Sequence, residues 1–260
     1  CVERDVYRHA QEALAEGKPR LLGYSKVEEG SLEVGLNCEG RIDVLLEPLN
    51  EALLAQLQRP VNQTLVTRYR PGPVEQKMEL TRWTESGDET EEASSTRIVE
   101  GGAIVEFREP NPPAPTLLIL GATPVAAPLA RLAKVLGYYV AVTDPRSAYA
   151  QEEFFPDADT VIAAWPRELP RHLRSGAFEG AYFGSRCYVV SLNHEPRFED
   201  DAFKMLMEEP RVAYIGSMGK RKRQEEREER QRESGFDLSL LPPIHTPVGL
   251  DLGGKAPEEV

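Results

Sequence analysis

Thr116-Leu-Leu-Ile-Leu-Gly-Ala-Thr-Pro-Val-Ala126 is the stretch of sequence that decides the fold. An amphipathic run continues from it to Gly137, and an apolar run over residues 138–143 then ends at Asp144. The order of strand, tight turn, helix, strand and acid predicts the first unit of a dinucleotide-binding sheet. We therefore expect a doubly wound parallel sheet in this half of the chain.

The predicted ligand contacts of this unit are Gly121, Ala122 and Thr123 in the turn, which would face a pyrophosphate, and Asp144, which would accept from a ribose hydroxyl. The glycine-rich fingerprint has glycine at three places, of which Gly121 supplies the first. Thr123 stands at the second place and Ala126 at the third. A β-branched side chain at the second place occupies space that the phosphates need.

A second interpretation of the turn requires no ligand. Thr123 is a good helix N-cap, and Pro124 suits the first helical position. Pro128 cannot donate to the carbonyl four residues back, so the helix kinks or starts as late as Pro128. The turn therefore favours the fold more strongly than it favours NAD(P) binding.

Composition excludes several classes of protein. The chain has 260 residues, 40% of them hydrophobic, with a net charge of -12 and a pI near 5.0, which argues against nucleic-acid and anionic-membrane binding. No apolar run approaches the ~18 residues that cross a bilayer. The three cysteines, Cys1, Cys38 and Cys187, show no Cys-x-x-Cys spacing, so we expect a protein of the reducing cytoplasm.

Two domains are predicted. Residues 1–109 combine a helical pattern at 2–14 with short extended runs, which predicts a small α+β domain. The extended runs are residues 20–25, 31–36, 41–47, 65–70, 78–83 and 103–108. Residues 84–95 are polar and acidic and predict an exposed loop. A proline-rich linker is predicted at 110–115, where we expect the sheet to stop.

The second domain is predicted at 116–260. Helical patterns alternate there with apolar runs, and this alternation predicts a Rossmann-like parallel sheet with helices on both faces. The predicted strands are residues 117–120, 138–143, 160–164, 187–192 and 212–216.

Several short motifs, in a specific order along nearly the whole chain, resemble the XdhC/CoxI accessory factors of xanthine dehydrogenase and related molybdenum hydroxylases. The motifs are Cys-Val-Glu at 1–3, Gly35-Leu-Asn-Cys-Glu-Gly40, Gly121-Ala, Asp144-Pro-Arg146, Phe155-Pro-Asp-Ala-Asp159, the strand ending in His194, Tyr214-Ile-Gly-Ser-Met-Gly-Lys-Arg-Lys-Arg223 and Pro247-Val-Gly-Leu-Asp-Leu-Gly253. The chain departs from the family pattern at Thr123, Pro128 and Glu39.

The resemblance implies a function without an established catalytic activity. A member would bind the molybdenum cofactor, molybdopterin, protect it during sulfuration of the metal and deliver it to an apo-hydroxylase. The implied partners are that molybdo-hydroxylase apoenzyme and a cysteine desulfurase, and the chain would form a homo-oligomer. The alternatives are an NAD(P)-dependent oxidoreductase, and a non-catalytic interaction domain with a degenerate nucleotide site.

Cys1 and Cys38 are the candidate contacts to a molybdenum centre, because soft thiolates suit a metal that carries sulfur. The alternative is that both are small apolar residues at packed positions. Cys187 opens an apolar run and is expected in the core. His194 follows that run at the carboxyl end of a strand, where it would bond a ligand or transfer a proton, or else satisfy a loop carbonyl.

A phosphate site is predicted where the last strand leads into a basic helix. Gly216 and Ser217 end the strand, and Lys220 and Arg221 open the helix. Free amides, the helix dipole and cationic side chains together attract a phosphate of a pterin or nucleotide. The rest of that helix, residues 224–233, mixes Glu and Arg at helical spacing and predicts only a solvated face.

Overall fold

The computed structural model describes residues 2–26, 34–36, 39–70, 80–86, 94–99, 104–193, 195–208, 212–235, 237, 240–251, 253–254 and 256–259. The chain divides into two compact units, Cys1–Pro112 and Pro113–Val260. No helix in the described part of the chain is long and apolar enough to cross a membrane.

The first unit is a small α+β domain. Its helices are α1 (Val2–Glu16) and α2 (Glu51–Leu57), and its strands are β1 (Arg20–Ser25), β2 (Arg41–Leu46), β3 (Gln63–Tyr69), β4 (Leu80–Ser86), β5 (Ser95–Val99) and β6 (Ile104–Asn111). β1 and β2 form an antiparallel pair, and the other four form an antiparallel sheet in the order β4-β3-β6-β5. Leu65 and Val66 of β3 are fully buried and centre its core.

β6 continues past the point where the sequence predicts the sheet to stop. Pro110 pairs with Thr64 of β3, and Asn111 pairs with Gln63. Proline is tolerated there because the pairing of β6 with β5 ends at Arg108, so among the described residues Pro110 is paired on one side only. The expectation that these prolines end the sheet at Glu109 was therefore wrong by two residues.

The second unit alternates strands with helices. Its strands are β7 (Thr116–Leu120), β8 (Tyr139–Thr143), β9 (Thr160–Ile162), β10 (Cys187–Ser191), β11 (Tyr214–Ser217) and β12 (Ile244–His245), and its α-helices are α3 (Ala126–Val135), α4 (Leu169–Arg174), α5 (Pro196–Glu208) and α6 (Arg221–Glu233). The six strands run parallel in the order β12-β11-β10-β7-β8-β9. This Rossmann-like sheet confirms the predicted fold class.

Both faces of the sheet are covered, because β7 buries every side chain. Leu117 and Ile119 pack in one cluster with the alanines of α3, and Leu118 and Leu120 pack in the other with Phe198 of α5. The order of strands reverses between β7 and β10, since the chain leaves β7 toward β8 and later returns to β10. In such sheets ligands bind beyond the carboxyl ends of the strands at this reversal.

Most predicted elements of this unit are present within one or two residues of their expected ends. Periodicity did not reveal β12 of this unit, which has two residues, or α2 and β5 of the first unit, which have seven and five. Short elements carry too few residues for a period to register, and their neighbours in the sheet decide whether they form.

Candidate functional site

The turn after β7 uses its own amide groups inside the protein. Gly121 N donates to Thr143 O at 2.8 Å, and Ala122 N donates to Asp144 Oδ2 at 2.9 Å. Thr123 N donates to Gly121 O at 3.0 Å. Pro124 has no N–H to offer. The turn that would hold a pyrophosphate therefore presents few free donors in the direction of a ligand.

Gly121 is required by contacts within the sheet. Its φ is +117°, in the region that favours glycine, and a β-carbon on it would lie 3.1 Å from Asn193 N. The turn after β7 thus lies directly against the loop after β10. Gly121 therefore permits a close approach to another loop of the same domain, where the glycine-rich fingerprint would predict a close approach to a phosphate.

Thr123 does not cap the helix, so the N-cap interpretation was wrong. α3 begins at Ala126, and Val125 stands at its N-cap with φ -76°, without a side-chain capping bond. Pro128 falls in the first turn, where the missing N–H costs no helical hydrogen bond. The Thr123 Oγ1 atom is shielded from solvent and has no hydrogen-bond partner among the residues that the structure describes.

Asp144 is fully buried at the end of β8, and its carboxylate is held by Arg146. Arg146 donates from N and Nε to Oδ1 at 2.9 and 2.8 Å, and from Nη2 to Oδ2 at 2.7 Å. Burial alone would raise the pKa of Asp144, but these bonds and the one from Ala122 N outweigh it, and the pKa lies below its ordinary 3.8. Asp144, the predicted ribose acceptor, is therefore an anion, and each of its two oxygens already accepts two hydrogen bonds from the protein.

The phosphate site predicted beyond β11 is only partly exposed. The Ser217 side chain is fully buried, and its Oγ accepts from Arg227 Nη2 at 2.8 Å. A β-carbon on Gly216 would lie 2.5 Å from Val248 Cγ2, so this glycine lets the C-terminal segment approach the sheet. Lys220 is exposed at the N-cap of α6, whereas the side chain of Arg221 lies outside the described part. A phosphate at this helix start stays a prediction that depends on Lys220 and the first amides.

α6 is more than a solvated face, which corrects the sequence interpretation. Arg227 and Gln231 are fully buried on it, and Arg227 Nη2 donates to Glu199 Oε1 of α5 at 3.0 Å. This burial could have been predicted from the sequence. α6 contains no apolar residue, and a helix that follows a strand of a parallel sheet packs one side against the sheet, so its buried face had to be polar. The pair joins α5, α6 and the end of β11.

An apolar cleft with a volume of about 120 Å³ opens at the carboxyl edge of the sheet. Its walls come from α3 and its N-cap, from the ends of β10 and β11 and the residues after them, and from the C-terminal segment. They are Val125, Pro128, Leu129, Leu132, Val190, Leu192, Met218, Val248, Gly249, Pro257 and Glu258. The walls are mostly hydrophobic, as those of small-molecule sites usually are.

Three of the predicted site residues, Cys1, Cys38 and His194, lie outside the described residues. Cys187 is fully buried at the start of β10, as expected, and burial raises the pKa of its thiol to about 12. Within the described ranges there is no group of three or more His, Cys, Asp or Glu that could hold a metal ion.

Comparisons with known proteins agree with this fold. The family described as the XdhC Rossmann domain matches residues 117–260, which is more than half of the chain. A relative in Bacillus subtilis, named as a probable xanthine dehydrogenase subunit, is 32% identical over 150 residues, which cover 57% of this chain and 40% of that protein. The uncharacterised protein YqeB of Escherichia coli is 27% identical over 161 residues, covering 62% of this chain and 28% of YqeB.

The chain thus spans well under two thirds of the length of both relatives. A crystal structure described as a xanthine dehydrogenase from Bacillus halodurans superposes with a TM-score of 0.68 at 25% identity. That alignment covers 100% of this chain and 76% of the Bacillus halodurans chain.

Proposed function

This chain belongs to the XdhC family, and we propose that it is an accessory factor that binds the molybdenum cofactor, shields it during sulfuration and delivers it to a xanthine dehydrogenase-type molybdo-hydroxylase. One observation carries the proposal: the apolar cleft opens beside the turn after β7, and the amides of that turn are bonded within the protein. This combination favours a flat ring ligand over a pyrophosphate-bearing dinucleotide.

In this proposal the apolar residues of the cleft contact the ring system of a pterin. Leu129, Leu192 and Met218 offer apolar surface to its faces, and Met218 adapts its shape easily. Thr123 Oγ1, in the adjacent turn, is a buried hydroxyl with an unused hydrogen-bonding capacity among the described residues. When bound, the cofactor supplies the molybdenum centre that the client hydroxylase needs.

In this proposal the protein's own residues bind the ligand and exclude water. The walls from α3 and from Val248 and Pro257 cover the ring, because they stand on either side of the ends of β10 and β11. Cys1 and Cys38 belong to the proposal as the thiols that guard the metal. The partner proteins are the apo-hydroxylase and a cysteine desulfurase, with the chain itself as a homo-oligomer.

The test is to purify the protein anaerobically from a host that makes the cofactor, and to measure molybdenum content and pterin fluorescence. We expect bound molybdopterin in the wild type. Leu129→Trp fills the cleft and should remove the cofactor, whereas Val135→Trp, on the same helix but 81% exposed, should retain it. Bound nicotinamide nucleotide in place of molybdopterin would overturn the proposal, as would equal retention in the two variants.

A further inference from the structure

Arg146 is hydrogen-bonded to the acid that follows the second strand of the sheet. The acid at the end of the second strand normally accepts from the ribose hydroxyls, and here that acid is Asp144. Its two oxygens accept four hydrogen bonds, three from Arg146 and one from Ala122 N. A carboxylate has about four lone-pair positions, so no acceptor remains for a diol.

The guanidinium of Arg146 is held in place, and its outer edge faces solvent. The side chain is 51% exposed, and its Cζ lies 4.5 Å from the centroid of the Tyr149 ring. Nε and one hydrogen of Nη2 are used by Asp144. The other three N–H donors have no partner in the described part of the chain. An arginine oriented in this way matches the geometry of a phosphate.

We infer that the carboxyl end of β8 recognises a phosphate monoester through Arg146 and rejects a bare ribose diol. For the natural ligand the inference depends on the proposed function: the monoester would be the terminal phosphate of the pterin cofactor, and a nucleotide that places its diol at Asp144 would be rejected. Asp144 neutralises much of the charge on Arg146, so the attraction comes from direct hydrogen bonds. We expect affinity for a small phosphate monoester to be on the order of millimolar.

The experiment uses NMR titration of the whole isotope-labelled chain with two probes, phenyl phosphate for the monoester and adenosine for the diol. Phenyl phosphate should shift the Arg146 amide and Nε resonances with saturation at about 20 mM, and adenosine should leave them unchanged. Arg146→Ala removes the donors and frees the carboxylate. This variant should bind phenyl phosphate about tenfold more weakly, and adenosine should now shift the Ala122 amide.

Two further variants serve as controls. Arg167→Ala removes an arginine that is also about half exposed, bonded to an aspartate, Asp201, and stacked on an aromatic ring, that of Trp165. It should leave both titrations unchanged. Lys220→Ala tests the start of α6 as the rival phosphate site, and it too should leave phenyl phosphate binding at Arg146 unchanged.

Three results would overturn the inference: adenosine binding by the wild type, phenyl phosphate shifts at Lys220 without shifts at Arg146, or no shift with either probe at about 20 mM. None of these readouts needs the molybdenum cofactor. Selective phosphate binding in a protein that never carries molybdopterin would leave the inference standing and remove the proposed function. Molybdopterin binding with no selectivity at Arg146 would do the reverse.

Discussion

Arg227 of α6 and Glu199 of α5 form an ion pair inside the second unit, with Nη2 3.0 Å from Oε1 and both side chains buried to 1% exposure or less. Arg227 also donates to Ser217 at the end of β11. Each buried charge of such a pair is tolerated only because the other is present, since a single charge left alone in the interior is strongly unfavourable. Arg230 of α6 adds a longer contact with Glu199, at 3.7 Å, and a pair with Asp200 at 3.0 Å, so charged groups fasten a helix without apolar residues to α5.

Removing one member of this pair should be costly. Arg227→Ala leaves the buried Glu199 carboxylate with only the longer contact to Arg230 at 3.7 Å, and we expect a loss of about 3 kcal/mol in unfolding free energy. Arg232→Ala, which breaks an exposed pair with Glu228 on the same helix, should change it by no more than about 0.5 kcal/mol. Urea unfolding followed by circular dichroism measures both. The double variant Glu199→Leu with Arg227→Met should recover most of the loss, and failure to recover would contradict the ion-pair account.

Two reasons favour glycine at position 121, its positive φ and its close approach to the loop after β10, and their contributions to stability can be measured separately. Gly121→Ala should lose about 2–4 kcal/mol, because it adds a contact with Asn193 to the strain of a positive φ. Gly137→Ala, at φ +80° with open space around the new methyl group, should lose only about 1 kcal/mol. Thermal unfolding of the two variants gives the difference. Equal losses would show that the approach to Asn193 contributes nothing.

The ionised carboxylate of Asp144 should make the free energy of unfolding fall at acidic pH. Its pKa in the folded protein lies below the ordinary 3.8, so its contribution is fully present above about pH 4 and is lost as the pH falls through the folded value. Asp144→Asn should cost about 1–2 kcal/mol at neutral pH, a figure lowered by the exposure of Arg146. The gap between wild type and variant in urea unfolding should shrink below pH 4. A gap that is constant with pH would contradict the lowered pKa.

Serine substitutions at the three cysteines should have two different effects, on stability or on cofactor retention. Cys187→Ser places a hydroxyl in the core and should lower the unfolding free energy by about 1–3 kcal/mol while leaving cofactor retention intact. Cys1→Ser and Cys38→Ser should lower cofactor retention with little loss of stability, because their predicted role is contact with the metal. Molybdenum content of anaerobically purified variants and their melting temperatures are the measurements. Equal retention in all three variants would remove the thiol hypothesis.

The sequence by itself determined the Rossmann-like sheet and the helices between its strands. Apolar runs such as residues 116–120 and the helical spacing of the alanines in α3 are local patterns, and the periods of strand and helix can be read directly from them. The order of Gly121, Asp144 and the family motifs likewise depends only on position along the chain. These features therefore sufficed for the fold and the family.

Only the tertiary structure decided what those residues contact. Asp144 has the place and chemistry of a ribose acceptor, yet Ala122, 22 residues away, and Arg146 occupy its oxygens. Ser217 faces Arg227 inside the domain although its position predicted a phosphate contact. Hydrogen-bonding capacity is a shared and limited property, and which donor reaches an oxygen first depends on how distant elements pack, which no local period encodes.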